Sequence, residues 1–207
     1  KYEKIANSFL NKIIRFENVL TTIQYFSWAK LGQPYMGVGR NMAYKKEEFF
    51  NVNGFIDHMQ IRTGDDELFI NQAAKGKNTT IAYTPESFSI SKPKTTFSDF
   101  FNQKRRQIAT ANYFPAMDQL RLGIFYASQL VFILMAVILL VFQFEWIIVL
   151  SIFLVRYVVA WTVVGFSAGK LKENDIKWWF PIVEIVLIFT QANAYFTNLF
   201  SKPIHWK

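Results

Sequence analysis

Two short clusters hold the side chains best suited to chemistry. Thr63-Gly64-Asp65-Asp66-Glu67-Leu68 offers adjacent carboxylates, and a carboxylate held against a hydroxyl can take its proton as that oxygen attacks. Gln103-Lys104-Arg105-Arg106-Gln107 offers guanidinium forks, an ammonium and amides, groups that grip phosphate oxygens or sugar hydroxyls. Gln103 and Arg106 are three apart, so on a helix they project from one face. A third stretch, Gln33 to Tyr44, contains Gly37, Gly39 and Arg40. Its glycines permit the close backbone approach and positive φ that a ligand-contacting turn needs, but it lacks the third glycine of a dinucleotide-binding loop. Each cluster also has a plainer reading. Thr63 or Asp65 would serve as a helix N-cap, with Asp66 and Glu67 complementing the positive helix end. Lys104-Arg105-Arg106 would face anionic lipid.

Local patterns say which elements must position these groups. A short helix is expected over Glu67 to Lys75, closed by Gly76, and a second from about Ser98-Asp99, with Phe97, Phe101 and Ile108 on its buried side. Thr79–Tyr83 and Glu86–Ser91 read as short β segments separated by Thr84-Pro85, with Lys92-Pro93-Lys94 as an exposed turn. Phe49 to Phe55 reads as a helix end and turn. The first 30 residues repeat apolar side chains at helical spacing. Phe9, Ile13, Phe16, Leu20 and Ile23 form the stripe, and Lys12, Arg15, Asn18 and Thr22 lie elsewhere on the wheel. That amphipathic helix suits either core packing or the membrane interface.

Three long apolar runs follow. Leu122–Phe142 has 21 residues and no formal charge, about 30 Å of helix, enough to cross a bilayer. Trp146–Phe166 is interrupted only by Arg156, and Trp178–Phe200 carries Glu184, Gln191 and Asn193. A mid-span arginine costs roughly 2.5–3.5 kcal/mol on insertion scales. Glu184 is therefore its natural partner, either as a structural pair or in a polar translocation path. Residues 1–120 form a soluble part and 121–207 a membrane region with about three spans, 122–142, 146–166 and 178–200. Gln143–Glu145 has no Lys or Arg, whereas Ser167–Lys177 has Lys170, Lys172 and Lys177, which puts the longer loop and the soluble part in the cytoplasm. A third crossing would leave Lys202 and Lys207 outside, against the same rule, and Pro181 leaves room for a re-entrant or interfacial segment.

The chain has 207 residues, no cysteine and a net charge of +8, of which +5 falls in residues 1–120 and +3 in 121–207. Disulfide and thiolate chemistry are excluded. The positive balance suits anionic headgroups or a phosphorylated substrate. Nucleic acid is not an expected partner, because the basic residues are not interleaved with aromatics in a recognisable module. Lys1 in place of Met, with no signal pattern ahead of the first helix, is read as the C-terminal part of a longer protein.

Together these motifs resemble the C-terminal half of membrane-bound family 2 glycosyltransferases, the group that includes cellulose, chitin and hyaluronan synthases. There a T-E-D or G-D-D motif supplies the catalytic base, and a Q-x-x-R-W motif follows before the final spans. Thr63 to Leu68 is similar to the first, Gln103 to Gln107 to the second, and Gly37 to Ala43 resembles the loop near the acceptor site. The resemblance covers about residues 5–200 and implies the C-terminal part of an α/β GT-A type domain followed by an α-helical transmembrane region. Two features depart from the pattern. Gln107 replaces the tryptophan of the second motif, which puts processive polymerisation in doubt, and no D-x-D sequence or donor-binding strand-helix series is present.

The resemblance implies inverting transfer from a nucleotide-sugar donor to a glycan or lipid acceptor at the inner or plasma membrane. Asp65 is the first choice for the base, since it precedes Leu68 by three as in T-E-D-x-x-L, and Asp66 is the fallback from G-D-D. Gln103, Arg106 and, in reserve, Arg105 would contact the diphosphate or sugar, with Gly37, Gly39 and Arg40 nearby. A divalent metal, Mg or Mn, is expected in the full-length enzyme with its ligands outside this stretch, and the stretch is not expected to catalyse transfer alone. The alternatives are a non-catalytic membrane accessory subunit of a glycan-synthesis or transport complex, and a transporter piece using Arg156 and Glu184.

Overall fold

The structure, a computed structural model, describes residues 1–61 and 63–202. Lys207, one of the two lysines in the topology argument, lies outside the described residues. Among the described residues there are seven α-helices: α1 (Phe9–Lys30), α2 (Lys46–Asn51), α3 (Asp65–Ala73), α4 (Phe97–Thr110), α5 (Ala116–Val141), α6 (Trp146–Lys170) and α7 (Phe180–Phe200).

No sheet is present among the described residues, so the expected α/β GT-A type domain is not observed. The single β contact among the described residues is an isolated bridge between Tyr2 and Ser91, where Ser91 N–H donates to Lys1 O and Glu3 N–H to Ser91 O, both at 2.9 Å. The residues expected as strands, 79–83 and 86–91, have suitable side chains. A strand also needs a neighbour for its backbone donors and acceptors, and among the described residues the only bridge this stretch makes is the one from Ser91 to Tyr2. Pro85–Ser87 instead forms a 3-10 turn.

α1 starts at Ser8, whose Oγ accepts a 3.1 Å hydrogen bond from the Asn11 amide and satisfies one free donor of the first turn. Its Ile13, Ile14, Phe16 and Val19 pack against Phe100 of α4, Val164 and Ala168 of α6, Ile176, and Phe180, Val183 and Leu187 of α7. Core packing is thus the observed use of this helix. The stripe expected from periodicity holds from Ile13 through Phe16 to Leu20 and Ile23, which pack on this core; only Phe9 departs, at 41% exposed, while Arg15, expected on the polar face, is 3% exposed. The α6–α7 loop accounts for the difference. Arg15 Nε donates to Glu173 at 2.8 Å, and Nη1 and Nη2 donate to Asp175 at 2.9 and 2.8 Å. That guanidinium holds the Asp175 carboxyl well below the usual carboxylate range, and Lys4 adds a salt bridge at 3.1 Å.

α5 and α6 form a hairpin in which Phe132 and Phe153 stack at 6.0 Å. α5, α6 and α7 are each long and apolar enough to cross a membrane, which makes this a membrane protein. Arg156 and Glu184 meet in a two-point pair, Nη1 to Oε2 at 2.7 Å and Nη2 to Oε1 at 2.8 Å. The charge that mid-span burial would strand is thereby neutralised.

Candidate functional site

α3 begins at Asp65, two residues earlier than expected, and ends at Ala73. Neither Thr63 nor Asp65 caps it. The N-cap is Gly64, in the left-handed region at φ 76°, with no side-chain cap. An added Cβ there would overlap Thr110 of α4, so both conformation and space require glycine. Thr63 and Thr110 hydroxyls hydrogen-bond at 3.1 Å. The start of the acidic motif therefore rests on the end of the helix that carries the basic motif.

The glycine loop closes onto the same place. Gly39 N–H donates to Asp66 Oδ2 at 2.5 Å, and a Cβ on Gly39 would lie 2.9 Å from that oxygen and 3.0 Å from Asp66 Cβ. Gly37 is equally confined, since its Cβ would come within 2.9 Å of Ile70 Cγ1. Close approach, not positive φ, is why glycine is needed at these two positions. Asn71 Nδ2 extends the anchorage to Tyr35 O at 2.9 Å and to Asp118 of α5 at 3.1 Å. Asp65, beside the anchored Asp66, is exposed.

Gln103 and Arg40 converge on one ring. Gln103 Nε2 donates to Tyr2 Oη at 3.3 Å, and the Arg40 guanidinium lies over the Tyr2 ring at 4.2 Å. Tyr2 had no assigned part in the sequence reading, because one tyrosine far from both motifs gives no local signal. Arg106, on the same helix, is partly buried, and burial lowers its pKa against the opposing pull of Asp99.

The other two cations of the motif are occupied structurally. Lys104 is paired with Glu17 of α1 and hydrogen-bonded to Gln107. Arg105 Nε donates to Asn198 Oδ1 at 2.9 Å, and Nη2 donates to Ser201 O and Oγ at 2.7 and 2.8 Å. The Arg105 fork is thus committed to α7. Glu67, given no separate role by the sequence, is half-buried, and its pKa is pushed up to about 8 by burial and by Asp66, with Lys104 opposing. Among the described residues no group of three His, Asp or Glu side chains could hold a metal ion.

A family model for glycosyl transferase family group 2 matches residues 3–192. The chain belongs to that family. Neither a curated protein nor a solved structure matches it. In this glycosyltransferase the matched stretch runs through the glycine loop, the acidic motif, the basic helix and most of the membrane helices.

Proposed function

We propose that the chain is the acceptor-side part of a membrane-bound inverting glycosyltransferase, similar to the cellulose, chitin and hyaluronan synthase group. It would move a sugar from a nucleotide-sugar donor to a glycan or lipid acceptor. Residues 1–120 would lie in the cytoplasm against the inner or plasma membrane, and residues 121–207 form the membrane region. One observation carries this reading beyond the family match. Asp66 pins Gly39, Arg40 and Gln103 meet on Tyr2, and Thr63 touches Thr110, so three motifs separated in sequence share one surface.

In the proposed reaction the exposed Asp65 carboxylate takes the acceptor hydroxyl proton as that oxygen bonds to the anomeric carbon. The bond from that carbon to the diphosphate oxygen breaks, the electron pair leaves with the nucleoside diphosphate, and the configuration inverts. Gln103 and Arg106 hydrogen-bond the diphosphate or the sugar. Asp66 acts one step back, fixing the loop against which the acceptor docks. A divalent ion would neutralise the departing diphosphate, and no residue described here is assigned to it. The test is nucleotide-sugar turnover by the full-length protein in membranes across a panel of donors. Turnover that disappears in Asp65→Asn at unchanged expression and insertion is the expected result. Absence of both transfer and donor hydrolysis in the native protein would move the chain to the accessory-subunit class.

A further inference from the structure

We propose that a groove between the ends of α1 and α6 binds one anionic phospholipid. Its phosphate sits between Lys30 and Lys170, and the start of an acyl chain lies on the apolar walls below them. The groove has a volume of about 500 Å³, within the range of about 300–1,000 Å³ common to ligand sites. Ile23, Phe26 and Lys30 line it from α1, and Phe166, Lys170 and Leu171 from the end of α6. The α1 residues follow at steps of three and four, and Phe166 and Lys170 are four apart, so each set shares one helix face. Ile23 and Leu171 rest on the hydrophobic core, which fixes the floor, while Phe166 is 70% exposed and forms an open wall.

Depth in the membrane matches the two halves of the groove to the two halves of a lipid. From Trp146, where α6 begins, to Phe166 the helix rises about 30 Å, the thickness of the hydrocarbon core. Phe166 therefore lies at the acyl boundary, and Lys170, one turn further on, lies among the headgroups. Charge points the same way. Two lysines and no acid line the groove. Each lysine ends its helix and offsets the negative end of the helix dipole, but neither has an acidic partner among the described residues. Glu173, the acid nearest to Lys170 in sequence, is committed to Arg15. Lys170 Nζ lies 5.5 Å from the Phe166 ring centroid, so the cation and the apolar wall adjoin. A free phosphate would leave that wall in water, and an uncharged lipid would leave both ammonium groups unpaired. An anionic phospholipid satisfies both.

The test uses the full-length protein in nanodiscs made of equal parts phosphatidylglycerol and phosphatidylcholine. After re-extraction in detergent, the lipid retained on each chain is read by native mass spectrometry. One phosphatidylglycerol per chain is expected, in preference to phosphatidylcholine. In Lys30→Gln/Lys170→Gln that preference is expected to fall about thirtyfold, the contribution of two lysines at a headgroup surface. Lys45→Gln/Lys46→Gln removes the same charge from exposed positions outside the groove and is expected to keep the preference. A phosphatidylglycerol with a photoreactive acyl chain is expected to crosslink near Ile23 and Phe166. An unchanged preference in Lys30→Gln/Lys170→Gln, an equal loss in Lys45→Gln/Lys46→Gln, or crosslinks confined to other helices overturns the proposal. If thermal unfolding shows that the Lys30→Gln/Lys170→Gln variant does not fold, the crosslinked positions on the native protein decide.

Discussion

Asp65 and Asp66 are neighbours of the same type, and the structure assigns them different surroundings, so one pair of substitutions separates base from scaffold. Asp66 Oδ2 accepts the Gly39 amide. An asparagine there keeps an acceptor oxygen in nearly the same position. Asp66→Asn thus exchanges a charge-assisted hydrogen bond, about 1.5–3 kcal/mol, for a neutral one of about 0.5–1.5 kcal/mol. The difference of about 1 kcal/mol corresponds to a roughly fivefold loss of kcat/KM. Asp65→Asn removes a proton acceptor, for which the loss is about 10²–10⁴-fold. Gly39→Ala provides a third arm. Its methyl would sit 2.9 Å from Asp66 Oδ2, breaking the bond and displacing the loop, and the expected loss is about 10–100-fold. The assay is initial-rate transfer by the full-length enzyme in detergent or nanodiscs, with expression and membrane insertion checked for each variant. An Asp66→Asn variant less active than Asp65→Asn would refute the assignment and transfer the base role to Asp66. A Gly39→Ala variant with native rates would refute the scaffold argument.

Arg15→Met leaves Glu173, 4% exposed, without its counter-charge, and is expected to cost about 3–5 kcal/mol, measured by thermal unfolding in detergent. The double variant with Glu173→Met is expected to recover much of that loss. Glu184→Gln should destabilise the helix bundle through the unpaired Arg156 guanidinium while transfer per folded molecule is unchanged. Altered solute flux with native stability would instead favour a translocation role. Glu67 has a folded pKa of about 8 against an ordinary 4.5, so the folded state binds the extra proton between those values. Stability from this group is present below about pH 4.5 and falls as pH rises to about 8. In Glu67→Gln that decline should flatten, which unfolding midpoints at pH 5, 6.5 and 8 would reveal.

The sequence determined those features that depend on a residue and its immediate neighbours. The α5 and α6 runs were legible because apolar length is a local property; α4 was found within two residues of its start, but its buried side is Phe100, Lys104 and Arg105, and Phe97, expected inside, is 50% exposed. The order of acidic and basic motifs was equally visible, and so was Glu184 as the acid available to Arg156. Tertiary structure decided whatever depends on a partner remote in sequence. The β segments had suitable side chains but no neighbouring strand, so the fold class could not be read from them. The polar face of α1 was misjudged because Arg15 is buried by two acids about 160 positions away. Lys104-Arg105-Arg106 looked like one cationic cluster, yet contacts with α1 and α7 commit its first two members to structure. Hydropathy marked α7 as apolar and long enough to span, but composition does not record which side of a helix is covered. Coverage comes from α1 and α4, which pack along one side of α7.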